Sequence, residues 1–364
     1  MKIIEKSIEL GGGKLTLSTG KLAWQADASV LATFGETVVL ATVVSARLTN
    51  DLGYFPLTVD YAERLYAGGR IKGSRWVKRE GRPTDVEILT GRLIDRSIRP
   101  LFPKDYKKEV QVIITVLSVD LENPPDIPAA IATSAAIAIS KIPWNGPLAV
   151  VRVGVINEEI ISQPTTSQIA ESSLDLVVSS TSGAIIMVES GAKGVKEDLL
   201  LNAIAFAQKE GTKIINLIDG LAKEVGNEKE VVRKDTHSKD IKSQVQKLAS
   251  GKISDLIKKT AVKKAGQTEF NELKSAVISS FDKEEAIHAS ATFDELFREI
   301  GREMVLSGTR PDARKWDEVR PLSAEVGILP RTHGSAIFSR GETQVLTVTT
   351  LASHQLEQLI ESAE

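Results

Sequence analysis

Cysteine is absent from the 364 residues of this chain, which excludes disulfides, thiolate nucleophiles and cysteine-ligated zinc. Nor does any apolar run approach the roughly 18 residues that a membrane span needs, so a soluble chain with no membrane partner is expected. The opening "MKIIEKSIELGGG" alternates charged and apolar residues without leading to a small-residue cleavage site. It does not read as a signal peptide, and the cytoplasm is the expected location. Histidine is scarce as well. His237 and His288 lie in a charged segment and His354 near the end, which leaves His333, in "PRTHGS", as the one histidine in a motif-like setting.

Net charge is nearly absent too, at −2, but the total hides a segregation. Between Arg64 and Lys108 thirteen Lys and Arg stand against five Asp and Glu, a local +8 that leaves −10 for the rest of the chain. A concentrated basic surface on an otherwise acidic molecule points to a polyanionic ligand such as nucleic acid or phosphate.

The length suggests two or three domains, and the patterning divides accordingly. "KLTLST", "ASVLATF", "ETVVLATVVSA" and "VQVIITVLSVD" read as strands broken by glycine turns. "AAIATSAAIAIS", rich in small residues, reads as a buried helix. Two hairpins follow, one turning at Asn157 and Glu158, the other near Ser182 and Gly183. From Val195 to about Val225 the period becomes helical, and residues 231–305 are dense in Lys, Glu, Asp and Gln with apolar residues at helical spacing. β patterning returns in "SAIFS" and "TQVLTVTTLAS". The expectation is an α+β unit of mixed sheets and packed helices over 1–228, an all-helical linker domain over 229–306, and the start of a second α+β unit over 307–364.

A repeat supports the second unit. "SVLATFGETVVL", Ser29 to Leu40, and "SAIFSRGETQVL", Ser335 to Leu346, share six of twelve residues at one offset. Gly20 and Gly327 also recur upstream, with one residue of slippage. A common tight turn explains part of this match, but duplication explains all of it.

The stretch richest in chemistry is "GGRIKGSRWVKREGRPTDVEILTGRLIDRSIRPLFP", Gly68 to Pro103. Its first half is a Gly-rich loop with Arg70, Lys72, Arg75, Lys78, Arg79 and Arg82 around Trp76. Cations pair with phosphates and the indole stacks on a base, so such a loop suits single-stranded nucleic acid of any sequence. Its second half reads as a helix over 84–101, with Thr84 as N-cap, Asp85 and Glu87 in the first turn and Pro100 as the stop. Arg92, Arg96 and Arg99 share one helical face, where carboxylate networks within the fold are the more usual partners than a ligand.

"KREGRPTDVEILTGRLIDRSIRPLFP" and "RPDARKWDEVRPLSAEVGILPRTHGSAIFSRGETQVLTVTTL" resemble, in the same order, two signatures of the bacterial polynucleotide phosphorylase family. The resemblance covers nearly the whole chain. It implies a first ribonuclease PH-like core, a helical domain and the start of a second such core. The implied activity is phosphate-dependent 3′-to-5′ degradation of single-stranded RNA, releasing nucleoside diphosphates. Inorganic phosphate is the implied co-substrate, Mg2+ the metal, and a ring-shaped homotrimer the assembly. The basic loop becomes the narrow point of an RNA channel, although Arg75, Trp76 and Val77 stand where two Phe are expected.

The same resemblance places the chemistry in the second core, with metal on a D-x5-D-x-K pattern expected after Glu364. In the first core the corresponding positions hold Ile169, Asp175 and Val177. One carboxylate is a poor site for Mg2+, so the first core reads as silent, Asp175 as a turn or strand-start residue, and no metal site is expected within the chain. Arg331 and His333 are implied at the active-site rim, positioning the RNA 3′ end, with His333 polarising the attacked phosphate. A non-catalytic RNA-binding ring subunit is the alternative, and a DNA-binding protein using the same loop is a weaker one.

Overall fold

Apolar residues on alternate positions build the first sheet. In β1 (Ile4–Leu10) and β2 (Gly13–Thr19) one face is polar, while Leu10, Leu15 and Leu17 turn inward. β3 (Ala28–Phe34), β4 (Thr37–Arg47), β5 (Leu57–Glu63) and β6 (Lys108–Ser118) complete six strands in the order β1-β2-β3-β4-β6-β5. All neighbours are antiparallel except β5 and β6. That parallel pair needs a crossover, and α1 (Asp85–Ile98) lies within it, packed on β5. Gly91 permits the close approach, since a Cβ there would sit 3.3 Å from the Val59 carbonyl oxygen.

This computed structural model describes residues 3–48, 54–71, 81–232, 238–262, 267–282, 285–312 and 314–356. The described residues up to 232 form one compact unit and those from 238 onward another.

α2 (Asp126–Ile139) is buried on almost every side and packs against β3, β4 and β7. A helix of Ala and Ile with no polar stripe can only be an interior one. The second sheet holds β7 (Ala149–Ile156), β8 (Glu159–Ser162), β9 (Leu174–Ser180) and β10 (Ile185–Ala192), antiparallel in the order β10-β9-β7-β8. Asn157 and Glu158 both take positive φ, 49° and 66°, as a two-residue hairpin loop requires. The short α3 (Thr166–Glu171) joins β8 to β9, and the long α4 (Glu197–Val225) lies across β7, β9 and β1.

In the second unit α5 (Ser238–Val262), α6 (Gln267–Ile278) and α7 (Ala286–Leu306) enclose Val245, Ile253 and Phe293. β11 (Leu322–Val326), β12 (Gly334–Arg340) and β13 (Thr343–Thr349) make a three-stranded antiparallel sheet. Among the described residues no helix is long and apolar enough to cross a membrane.

The repeated phrase occupies the same turn twice. Phe34 pairs with Thr37 and Arg340 with Thr343, around two-residue loops in which Gly35 and Gly341 both have φ 61°. Positive φ at the first loop position alone is the II′ pattern that glycine serves. The first copy is packed tightly: a Cβ on Gly35 would fall 2.5 Å from Asp120 Oδ2. Glu36 N donates to that carboxylate at 3.0 Å, and Thr37 Oγ1 to the Asn123 carbonyl at 2.9 Å.

The helix expected over 84–101 ends at Ile98, and Arg99–Leu101 tighten into a 3-10 turn. Pro100 has no N–H to continue the ladder.

Candidate nucleic-acid interface

The basic segment reaches α1 through Arg82, which is exposed two residues before the N-cap. Thr84 Oγ1 accepts from Glu87 N at 3.2 Å while Glu87 Oε2 accepts from Thr84 N at 2.6 Å, closing a capping box. Glu87 Oε1 also accepts from Glu63 N at 2.8 Å, which ties the start of α1 to the end of β5. Arg82 is therefore presented from a fixed base. Arg75, Trp76, Lys78 and Arg79 lie outside the described residues.

The three arginines of α1 divide in use. Arg99 donates to Asp95 and to the carbonyls of Phe55 and Leu57, the last at 3.0 Å, and Arg96 pairs with Glu189. These two brace the fold. Arg92 is exposed, with no ion pair among the described residues, so it is the one of the three open to a ligand.

Asp175 is the second residue of β9 rather than a turn residue, and its carboxylate is already engaged. Arg152 Nε donates to Asp175 Oδ1 at 2.9 Å, and Arg152 NH1 reaches Asp126 Oδ1 at 3.2 Å. Burial works against the Arg152 charge, yet the two carboxylates hold its guanidinium above the ordinary arginine value. Sequence reasoning missed this triad. The available signal was Arg152 itself, the single charge within the apolar strand "LAVVRVGVI", which could not be buried without partners.

These residues do not fit Mg2+. Ile169 and Val177 offer no ligand, Asp175 is neutralised by Arg152, and no group of three or more acidic or histidine side chains suited to a metal occurs among the described residues.

Arg331 and His333 lie on the loop between β11 and β12, both exposed. His333 Nδ1 accepts from Leu351 N at 2.9 Å. Since Nδ1 is the acceptor, the neutral ring carries its proton on Nε2, leaving an N–H donor on the other edge.

Residues 12–143 and again 318–363 match the model of the 3′ exoribonuclease family, domain 1, and residues 146–210 match domain 2 of that family. The chain belongs to the 3′ exoribonuclease family. Both copies of the GET turn fall within the domain 1 match, so the duplication read from twelve residues extends to whole segments of this exoribonuclease fold. The polyribonucleotide nucleotidyltransferase of Caldicellulosiruptor bescii is 45% identical over 362 residues, 98% of this chain and 51% of that protein. That of Acidiphilium cryptum is 45% identical over 368 residues, 100% of this chain and 51% of its own. The chain thus spans about half the length of the curated relatives it matches. Rice (Oryza sativa) Rrp46 aligns structurally with a TM-score of 0.47 and 15% identity, over 60% of this chain and 94% of its own.

Proposed function

We propose that this chain supplies the RNA-gripping core, and the opening of the reacting core, of an enzyme that shortens single-stranded RNA from its 3′ end by phosphorolysis. The observation that carries the reading is the second occurrence of the domain 1 match in a chain whose relatives, at 45% identity, are polyribonucleotide nucleotidyltransferases. In this reading three parts run 1–228, 229–306 and 307–364, and the whole works as a homotrimer in the cytoplasm.

The proposed reaction transfers the terminal nucleotide. An oxygen of inorganic phosphate attacks the last phosphodiester phosphorus, the bond to the preceding O3′ breaks, that oxygen takes up a proton, and a nucleoside 5′-diphosphate leaves. Two anions must approach each other, so cations around the site lower the barrier. Arg331 is assigned to the terminal phosphate and the Nε2–H of His333 to a phosphoryl oxygen. Arg75, Lys78, Arg79 and Arg82 hold upstream phosphates and Trp76 stacks on a base. Mg2+ is assigned to residues outside this chain, because the first core's own carboxylate is bound to Arg152.

The test is a filter-binding titration of poly(A) against salt. Lys78→Ala with Arg79→Ala is expected to weaken binding and lower the salt slope by up to roughly 1.4, about 0.7 per lost phosphate contact on a single strand. Unchanged affinity and slope remove the channel reading.

A further inference from the structure

Trp24 is 66% exposed on the loop between β2 and β3, an unusual place for so large an apolar side chain. The loop that carries it is held firmly. The indole Nε1 donates to the Gly20 carbonyl at 3.1 Å, and Ala26 N to the Ala23 carbonyl at 3.1 Å. Asp27 accepts from Ser45 N at 2.7 Å and pairs with Lys141 at 3.0 Å. Ala23 itself sits at φ 54°, in the left-handed region that non-glycine residues avoid. A tethered indole on a braced loop keeps its place without a partner and loses little freedom on binding one.

The loop between β11 and β12 is built to the same plan. Each opens on a left-handed glycine, Gly20 at φ 88° and Gly327 at φ 74°. Each is then clasped by the serine that comes second in the following strand. Ser29 Oγ donates to the Leu22 carbonyl at 2.6 Å, and Ser335 Oγ accepts from Leu329 N at 2.9 Å, in both cases at the residue two places after the glycine. Four places after the glycine stand Trp24 in one loop and Arg331 in the other, both exposed.

We propose that Trp24 is a base-stacking contact for single-stranded RNA on the first core, at the loop position that Arg331 holds in the second. This rests on the RNA-degrading reading above and adds to it a grip outside the basic loop. Replacing a guanidinium by an indole exchanges a phosphate contact for a stacking one, and both accept any sequence. Lys21, on the same loop, is exposed and has no ion pair among the described residues, so the loop offers a cation as well as an aromatic ring, the two residue types that single-strand grooves combine. Leu22 is the only other large apolar side chain between Gly20 and Asp27, a smaller patch than the clustered anchors of a protein interface.

The test measures anisotropy of fluorescein-labelled oligo(A) with the full chain across a salt series. Trp24→Ala is expected to weaken binding at least about five-fold, the low end of stacking losses, with the salt slope unchanged because no phosphate contact is lost. Trp24→Phe retains most of the affinity, and the thermal midpoint of both variants stays at the wild-type value. Wild-type affinity in Trp24→Ala, while Lys78→Ala with Arg79→Ala still weakens binding, overturns the Trp24 contact alone. A wild-type chain that binds no oligo(A) overturns the RNA reading and this inference with it. Unchanged RNA affinity together with a smaller sedimenting species assigns Trp24 to a subunit contact instead, and also overturns it.

Discussion

At the scale of single residues, Arg152 decides what the first core can do. A guanidinium between two carboxylates fills with an internal cation a place where a metal would need those same carboxylates free. Arg152 and Asp126 are mostly buried, so removing the cation strands two like charges. Arg152→Ala is expected to destabilise the first unit by about 3 kcal/mol, read as a lower urea midpoint. Adding Asp126→Asn and Asp175→Asn to that variant restores most of the loss, because the repulsion goes with the charges. Asp120 makes a second, pH-dependent case. Burial pushes its carboxyl up, but the Asn123 side chain and the N–H groups of Asn123, Glu36 and Glu122 outweigh this and hold it at about 2. Since the unfolded chain titrates near the ordinary Asp value of about 3.9, the unfolded state binds the proton more tightly. The stabilisation is therefore complete above about pH 4 and is lost as pH falls toward 2. Asp120→Asn is expected to lower stability by about 1–2 kcal/mol at pH 7 and to make little difference at pH 2, as acid-unfolding curves will show.

At the scale of elements, α1 is the platform from which the basic segment is presented, and its first turn sets where that platform begins. Thr84→Ala removes one half of the capping box and is expected to cost about 1 kcal/mol. Glu87→Ala removes the other half and also frees Glu63 N, so its thermal midpoint falls further than that of Thr84→Ala. The cap was legible in the sequence because Thr84 and Glu87 stand at the capping-box spacing ahead of an apolar stripe. α2 was legible because so apolar a helix has one possible environment. β5 was missed although Leu57, Val59 and Tyr61 alternate with Thr58 and Asp60, because so short a run beside the basic loop gives no partner; its parallel pairing with β6 under α1 reveals it. α3 has six residues and buries none of them, so it has no periodicity to detect, although Thr165 and Gln168 form a capping box there too. β11 alternates Leu322, Ala324 and Val326 with Ser323 and Glu325, but its five residues are all exposed and too few to stand out among the prolines and charges before it. The site shows the same division. Motif residues such as Arg82, Arg331 and His333 were visible as types in a pattern, whereas Arg152 and Asp126 matter through neighbours more than twenty residues away in the chain.

At the scale of the whole molecule, one ancestral pattern occurs twice with different surroundings. In the first copy the loop ahead of Gly35 carries Trp24 and Gln25; in the second the loop ahead of Gly341 carries Arg331 and His333. Grip and chemistry make different demands: gripping RNA needs positive charge and stacking surfaces spread along a strand, while phosphorolysis needs phosphate, metal and the scissile bond converging on one point. In the function proposed above, the unengaged cations within the local +8 between Arg64 and Lys108 are assigned to the first demand. In the same reading the second falls outside the first unit, where the carboxylate at the D-x5-D-x-K position is paired with Arg152 and its companions are Ile169 and Val177. Incubated with poly(A), phosphate and Mg2+, the 364-residue chain is therefore expected to bind RNA yet release no nucleoside diphosphate, as measured by anion-exchange chromatography of the products. Diphosphate release that persists in Arg331→Ala with His333→Ala would place a working site in the first unit and refute the division of labour between the two copies.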